Sequence, residues 1–148
     1  MKMIDVGSKD KTERVATARA CVRMLPATAK RMRDGKVEKG DVLSAARLAG
    51  IMAAKRTPDV VPLCHPIALT SVKVELAFKK GLLEIEATVK TVDRTGVEME
   101  ALTAVCASAL TVYDMLKSVD RGMVIENVGL LQKSGGRSGT WRRKESKR

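Results

Sequence analysis

The sequence has few aromatic residues, one histidine and no regular spacing of cysteines. Phe78, Tyr113 and Trp141 are its only Phe, Tyr or Trp residues, so the core must be built from Ala, Val, Leu, Ile and Met. The three cysteines are far apart and odd in number, which argues against a disulfide framework and favours a reducing compartment. The first residues contain no apolar segment typical of a signal peptide. Because no apolar run of about 18 residues is present either, we expect a cytoplasmic protein without a membrane span.

Positive charge is plentiful. The chain contains 28 Lys and Arg against 17 Asp and Glu, a formal net charge of +11 over 148 residues. Such an excess suggests a polyanionic partner, which could be nucleic acid, an anionic membrane or phosphate. The length suits one domain. We therefore divide the chain into an N-terminal arm (1–14), a single folded domain (15–139) and a basic C-terminal tail (140–148). Within the tail, a solvated segment is the preferred interpretation of residues 142–148.

Hydrophobic periodicity and capping signals predict seven elements in the order β, α, α, β, β, α, β. Asp41 is a plausible N-cap for the second helix, and a capping box from Thr95 to Glu98 is expected to open the long helix. The predicted bounds are 15–25, 26–34, 42–56, 68–79, 82–93, 95–119 and 124–132. This order resembles a ferredoxin-like βαββαβ sandwich, an α+β fold with an antiparallel sheet, here with an additional helix. A fold of this kind does not by itself identify a function.

A loop rich in proline surrounds the only histidine. Three of the four prolines lie in residues 58–66, which predicts a stiff, non-helical segment that holds Cys64 and His65. A Cys–His nucleophile pair is disfavoured because adjacent residues of an extended chain point in opposite directions. Zinc is disfavoured because the Cys and His residues lack paired-ligand spacing. A hydrogen-bonded structural histidine remains the plain alternative, and we expect no metal site.

A basic, glycine-rich segment covers residues 133–139. Its glycines permit close approach of the backbone, and exposed N–H groups together with Lys133 and Arg137 could hold a phosphate. The segment is not a P-loop, since the spacing and the Lys-Ser/Thr ending are absent. A flexible linker to the tail is an equally good interpretation.

Charged residues on the long helix and before the second helix are further candidates. Asp114 and Lys117 share a helix face, although an ordinary surface ion pair would look the same. Glu100 precedes Asp114 by 14 residues, which places the two about 21 Å apart along the helix axis. One small molecule would not touch both within a single chain, so a shared site would require a second subunit. Lys39 is either a solvated loop lysine or an acid–base group.

Six segments together resemble one family. They are KGDV from Lys39, AGIMAAKRT from Ala49, PLCHP from Pro62, TGVEMEAL from Thr95, YDM from Tyr113 with Lys117, and residues 131–139. The chain thereby resembles the molybdenum cofactor biosynthesis protein C family, the cyclic pyranopterin monophosphate synthases, over residues 3–139. The PLCHP and TGVEMEAL segments are highly specific.

This resemblance implies a lyase. The expected substrate is the GTP-derived (8S)-3',8-cyclo-7,8-dihydroguanosine 5'-triphosphate, and the expected products are cyclic pyranopterin monophosphate and pyrophosphate. No resident cofactor is expected, and whether Mg²⁺ accompanies the substrate phosphates stays open. Family likeness also implies a homohexamer, a trimer of dimers with its sites at the dimer interface.

The resemblance also assigns roles to residues. The implied catalytic residues are Asp114, Lys117, Lys39 and Lys133. The implied substrate-binding residues are Leu63, Cys64, His65, Met99, Glu100, Glu98, Arg14 and Arg137. Many family members have Lys where this chain has Arg137, and we assign that residue to phosphate binding alone because the guanidinium pKa is too high for proton transfer. Glu98 has its predicted capping role as an alternative.

Two other classes of function are weighed against this one. A basic nucleic-acid-binding domain would fit the charge and the element order, but RNA-recognition sheets stack bases on aromatic side chains and the predicted strands contain only Phe78. A structural assembly protein would not need His65, Glu100, Asp114 and Lys117 together. We therefore expect neither nucleic acid nor membrane as a partner.

Overall fold

The structure is a computed structural model that describes residues 1–79 and 81–144. Its strands are β1 (Thr12–Arg23), β2 (Ser71–Lys79), β3 (Leu82–Asp93), β4 (Val124–Ser134) and β5 (Trp141–Arg142). Its helices are α1 (Pro26–Arg33), α2 (Val42–Ala54), α3 (Thr57–Val60) and α4 (Glu98–Leu116). The strands form one antiparallel sheet in the order β2-β3-β1-β4-β5. The predicted α+β, ferredoxin-like class is confirmed, with β5 added at one edge.

Alternation along the strands decides which face of the sheet carries the core. In β3, Leu83, Ile85 and Val89 are fully buried, whereas Glu84 and Glu86 between them are only partly buried. The buried side chains face α4, which packs on β1, β3 and β4, while α2 packs on α4 and β2. Small residues dominate the contact between α2 and α4, so these two helices approach each other closely.

Helix α1 depends on a residue from the loop that follows α4. Its N-cap position, Leu25, supplies no side-chain cap. Instead the buried Asp120 accepts hydrogen bonds from the Leu25 backbone N–H at 2.9 Å and from the Thr28 hydroxyl at 3.0 Å. A carboxylate is favourable at a helix N-terminus, and this contact ties α1 to the loop that follows α4.

Several predicted boundaries were wrong for local reasons. Strand β1 begins at Thr12, inside the predicted arm, because residues 12–14 pair with the end of β3. Pro58 was expected to end helical structure, but it lies in the first turn of α3, where proline is tolerated because its missing N–H would have no partner there. Helix α2 itself ends at Ala54.

The predicted capping box does not form. Helix α4 begins at Glu98 with Val97 as its N-cap, and no side chain caps it. Glu98 is therefore the first helical residue and not the third, so it lacks the geometry of a capping-box partner. The helix also ends at Leu116, earlier than expected.

Part of the basic tail is structured. Trp141 pairs with Lys133, and the Arg143 side chain donates a hydrogen bond to the Leu130 carbonyl at 2.7 Å. Residues 142 and 143 of the expected solvated segment are exposed, but their backbones are bonded to β4 because the edge of that strand offers unpaired backbone groups. The rest of the predicted tail, residues 145–148, lies outside the described residues.

Candidate active site

The C-terminal end of α4 carries a carboxylate between two lysines. Asp114 accepts a hydrogen bond from Lys117 at 2.7 Å, one helical turn later, and another from Lys39 at 2.6 Å. The Lys39 ammonium also contacts the Asp114 carbonyl oxygen at 3.1 Å. Lys39 reaches this point from the loop before α2, where Asp41 caps the helix by accepting from the Ser44 N–H at 3.0 Å. Sequence spacing predicted the Asp114–Lys117 pair, whereas the arrival of Lys39 is a result of tertiary structure.

The two lysines control the charge of this cluster. Hydrogen bonds from Lys117, the larger effect, and from Lys39 lower the pKa of Asp114 to about 2. The contact between Lys117 and Asp114 in turn raises the pKa of Lys117. All three side chains are about half exposed to solvent. Because exposed ion pairs contribute little to folding stability, the arrangement of one anion and two cations is better explained by ligand chemistry than by stability.

The N-terminal end of α4 carries a very different carboxylate. Glu100 is 1% exposed. Its Oε1 accepts a hydrogen bond from the Cys64 thiol at 3.5 Å, while its Oε2 is buried and lacks a hydrogen-bond partner among the described residues. The contact brings the proline-rich loop onto the first turn of α4, a pairing that sequence spacing alone did not predict.

Burial raises the pKa of Glu100. Its own backbone N–H and the Cys64 thiol act in the opposite direction, and the neighbouring Glu98 adds a smaller upward effect. A helix N-terminus stabilises an anion by at most about 2 kcal/mol, whereas burial of an ion without a partner costs several kcal/mol. Desolvation therefore outweighs the favourable helix position.

The remaining ring-binding candidates are either neighbours of Glu100 in the sequence or members of the proline-rich loop, which contacts Glu100 through Cys64. Glu98 and Met99 belong to the same first turn of α4, with Met99 39% exposed. Leu63 is exposed and His65 is half-buried. Burial and the Glu100 carboxyl raise the pKa of the Cys64 thiol to about 11, which makes this cysteine a hydrogen-bond donor and not a nucleophile at neutral pH.

A third group of residues lies where β1 begins and where β3 and β4 end. Arg14 donates hydrogen bonds to the carbonyl oxygens of Asp93 at 3.3 Å and Arg94 at 3.4 Å. The Arg14 guanidinium also lies directly against Gly136, where a Cβ would collide with it. The sequence indicated Arg14 and the glycine loop separately, and the structure places them in contact.

Lys133 also belongs to this third group. It is part of β4, opposite Ala16 of β1, and its ammonium hydrogen-bonds to the Ser138 hydroxyl. Ser138 was missed by the sequence reasoning, although its position in the glycine loop was a usable signal. Arg137, between them, is exposed.

The structure divides the predicted residues into two regions at opposite ends of α4. Asp114, Lys117 and Lys39 lie at its C-terminal end. The Glu100 group lies at its N-terminal end, and the Arg14 group lies near it because Asp93 ends β3 shortly before α4 begins. A helix rise of about 1.5 Å per residue separates Glu100 from Asp114 by about 21 Å, so one chain does not unite all the predicted residues.

Two further observations limit the kinds of site. Over residues 1–79 and 81–144, no three His, Cys, Asp or Glu side chains are grouped in a way that could hold a metal ion. In the same part of the chain, α4 is the one helix long and apolar enough to cross a membrane, and half of that apolar stretch is buried inside the fold. Such burial is typical of the core helix of a soluble protein.

Comparison with known proteins identifies the family of the chain. The sequence profile described as the MoaC family matches residues 3–136. Among similar curated proteins, that of Thermomicrobium roseum is 59% identical over 146 residues, covering 97% of this chain and 88% of the relative. The protein of Novosphingobium aromaticivorans is 55% identical (97% and 92% covered), and that of Peptoclostridium acidaminophilum is 53% identical (96% and 90% covered). All three are named cyclic pyranopterin monophosphate synthase. Because the family profile matches most of this chain and each of the three relatives is more than half identical to it, this chain belongs to the MoaC family.

Proposed function

We propose that the protein is a cyclic pyranopterin monophosphate synthase, the activity named for its relatives. It converts the cyclised dihydroguanosine triphosphate to cyclic pyranopterin monophosphate and pyrophosphate, as a lyase of molybdenum cofactor biosynthesis. The observation that carries the proposal is Asp114, held at 2.6 Å and 2.7 Å by two lysines. Rearrangement of a purine ring and closure of a cyclic phosphate require proton donors and acceptors at fixed positions, and this cluster offers both.

Within the cluster, the lysines act as acids and Asp114 orients them. A carboxyl whose pKa lies near 2 is a weak base at neutral pH. Lys117, whose pKa is raised by Asp114, stays protonated at neutral pH, and it donates more readily once its contact with Asp114 is broken. When the lysines turn to substrate oxygens, Asp114 loses its two stabilising contacts, and its pKa rises into a range where it accepts a proton more readily.

Arg14, Lys133 and Arg137 hold the triphosphate in this proposal. Departure of pyrophosphate increases the negative charge on the leaving oxygens, and preorganised cations stabilise that charge. Lys133 additionally serves as an acid–base lysine, whereas Arg137 only binds. The hydrogen bond from Lys133 to Ser138 keeps the ammonium at the glycine loop before substrate enters.

Glu100, Met99, Glu98, His65, Leu63 and Cys64 bind the purine-derived ring. Glu98, Met99 and Glu100 form the first turn of α4, and the proline-rich loop joins this turn through Cys64, so apolar side chains and polar groups that can pair with ring nitrogens and oxygens are available together. Such a mixture is typical of small-molecule sites, in which a few polar groups determine orientation within an apolar lining.

A second subunit completes the site. Because about 21 Å separates Glu100 from Asp114, we propose that the ring group of one chain faces the Asp114 cluster of another, in a homohexamer built from dimers. The enzyme is placed in the cytoplasm and needs no resident cofactor. Whether Mg²⁺ binds with the phosphates is left to a titration of activity with the metal.

The direct test is an activity assay. Purified protein is incubated with the cyclised dihydro-GTP intermediate, and pyrophosphate release is followed together with the fluorescent, oxidised pterin product. Asp114→Ala should lower turnover by at least about 100-fold, the lower range for loss of a positioned acid–base group, while the oligomer stays folded. Asp34→Ala is the matched control because Asp34 also forms an exposed helix ion pair, with Lys30 at 2.5 Å. Equal activity of wild type and Asp114→Ala would refute the assigned role.

A further inference from the structure

Glu100 is a buried acid that the fold leaves incompletely paired. It is 1% exposed, and Oε2 has no hydrogen-bond partner within residues 1–79 and 81–144. Buried polar atoms are almost always paired, so this oxygen is the place where a ligand atom is expected. The Cys64 thiol at 3.5 Å is the side-chain contact of the other oxygen.

Within one chain, the surroundings of Glu100 favour an uncharged side chain. Of the charged and titratable groups that act on it, Glu98 in the same helical turn is anionic and Cys64 from the proline-rich loop is a neutral thiol. No lysine, arginine or histidine of the described chain forms an ion pair with it. The N-terminus of α4 favours the anion, but burial of the carboxyl is the larger effect and raises its pKa.

We propose that Glu100 is a neutral carboxylic acid in the ligand-free protein and presents its proton on Oε2 to the ligand. Oε1 then accepts from the Cys64 thiol, and Oε2–H donates to a ring acceptor. The thiol suits this role because it stays protonated at neutral pH, and it acts as a positioning group that leaves Oε2 as the free donor.

The charge state decides which ligand edge is recognised. A carboxylate only accepts hydrogen bonds and therefore selects two adjacent N–H groups. A carboxylic acid offers one donor and one acceptor, which matches a ring amide, where a carbonyl lies beside an N–H. The ligand class that fits Glu100 is therefore a lactam edge, as on a guanine-derived ring. The identity of the ring rests on the proposed function, whereas the protonation of Glu100 does not.

Infrared spectroscopy of the ligand-free protein tests the protonation directly. With ¹³C-labelled glutamate at pH 7, the wild type should show an isotope-sensitive stretch of a protonated carboxyl that is absent from Glu100→Gln. Glu98→Gln, which alters a less buried neighbour, should keep the band. Absence of the band from the wild type would overturn the proposal. If Glu100→Gln does not fold, the wild-type band itself decides, because it should disappear only when the pH is raised well above the ordinary titration of glutamate.

Ligand binding tests the consequence, with GTP as a stable probe that carries the lactam edge and a triphosphate. Gln resembles a neutral acid, with one donor and one acceptor group, so Glu100→Gln should keep the GTP dissociation constant within about threefold, while Glu100→Ala weakens binding at least tenfold. A tenfold or larger loss in Glu100→Gln would instead show that the carboxylate is required. Cys64→Ser should retain the infrared band position, Cys64→Ala should shift it, and Cys106→Ala is the control. Failure of turnover with the band present would count against the proposed function alone.

Discussion

At the residue scale, the surroundings of Asp114 strongly stabilise its anionic form, whereas those of Glu100 destabilise its anionic form. Asp114 gains hydrogen bonds from Lys117 and Lys39, whereas Glu100 is buried beside a thiol. Divergent pKa values of two acids are a frequent way to provide proton donors and acceptors at one pH. The difference comes from the surroundings, because both acids lie on the same helix.

The pH dependence of Asp114 follows from its contacts. Its pKa is lowered from 3.8 to about 2, so the two ion pairs contribute stability fully above the ordinary value of 3.8, and that contribution is lost as the pH falls towards 2. Carboxyl NMR titration should show a pKa of Asp114 well below the ordinary value of 3.8. Lys117→Met and Lys39→Met should each raise its pKa, and Lys30→Met should not. A normal Asp114 titration in the wild type would contradict the ion-pair geometry.

At the element scale, the glycine loop and the strand carrying Arg14 form one unit. Gly136 has a φ of 73° and Gly139 a φ of 60°, and both lie in the left-handed region that glycine occupies without strain. Of these two glycines only Gly136 lies against Arg14, since nothing lies within 4 Å of a Cβ at Gly139.

Gly136→Ala should therefore weaken phosphate binding more than Gly139→Ala. Both changes carry a backbone cost of about 1 kcal/mol, but only Gly136→Ala displaces the Arg14 side chain. Calorimetric titration with GTP should show at least about a fivefold weaker affinity for Gly136→Ala, the size of about 1 kcal/mol in the lost contact with a charged group. Equal affinities for the two variants would show that Arg14 does not bind phosphate.

Contact between α2 and α4 depends on the absence of a side chain at Gly50. A Cβ there would lie 3.0 Å from the Ala104 carbonyl oxygen and 3.2 Å from a Val74 methyl, and still closer to the Ser108 hydroxyl. The Ser108 hydroxyl donates to the Ala46 carbonyl at 2.9 Å, so it cannot move freely. This packing determines the position of α4 relative to α2 and therefore relative to the Lys39 loop that precedes α2.

Gly50→Ala should destabilise the fold, although alanine normally favours a helix. Overpacking of a tight core costs about 1–3 kcal/mol, which exceeds the gain of about 0.5–1 kcal/mol from helix propensity. Denaturant unfolding measures the difference. The double variant Gly50→Ala with Ser108→Ala should recover part of the lost free energy of unfolding. A Gly50→Ala single variant more stable than the wild type would contradict the observed closeness of the helices.

At the scale of the whole molecule, the main question is how the two ends of α4 contribute to one reaction. The sheet and α4 form a rigid unit, so neither end can move to the other within a chain. The sheet contains two aromatic residues: Phe78 lies under the Arg33 guanidinium, at 4.8 Å from the ring centre, and Trp141 of the edge strand β5 is 43% exposed.

Mixed oligomers test the shared site. Asp114→Ala and Glu100→Ala are each expected to be impaired at low substrate concentration, but subunits refolded together should regain activity, since some sites then combine an intact Asp114 cluster with an intact Glu100. Refolded single variants are the controls, and sedimentation velocity checks that oligomers form. Mixtures that stay inactive despite forming mixed oligomers would place all the functional residues of a site within one chain.

The sequence by itself determined the fold class, the order of the main elements and the separation of Glu100 from Asp114, because hydrophobic periodicity and helix rise are local properties. The specific segments around Lys39, Cys64 and Tyr113 also identified the family. Only the tertiary structure decided that Lys39 reaches Asp114, that Cys64 contacts Glu100 and that the Arg14 guanidinium lies against Gly136. Each of these contacts joins segments distant in the chain, and the charge of Glu100 depends on burial, which no local pattern specifies.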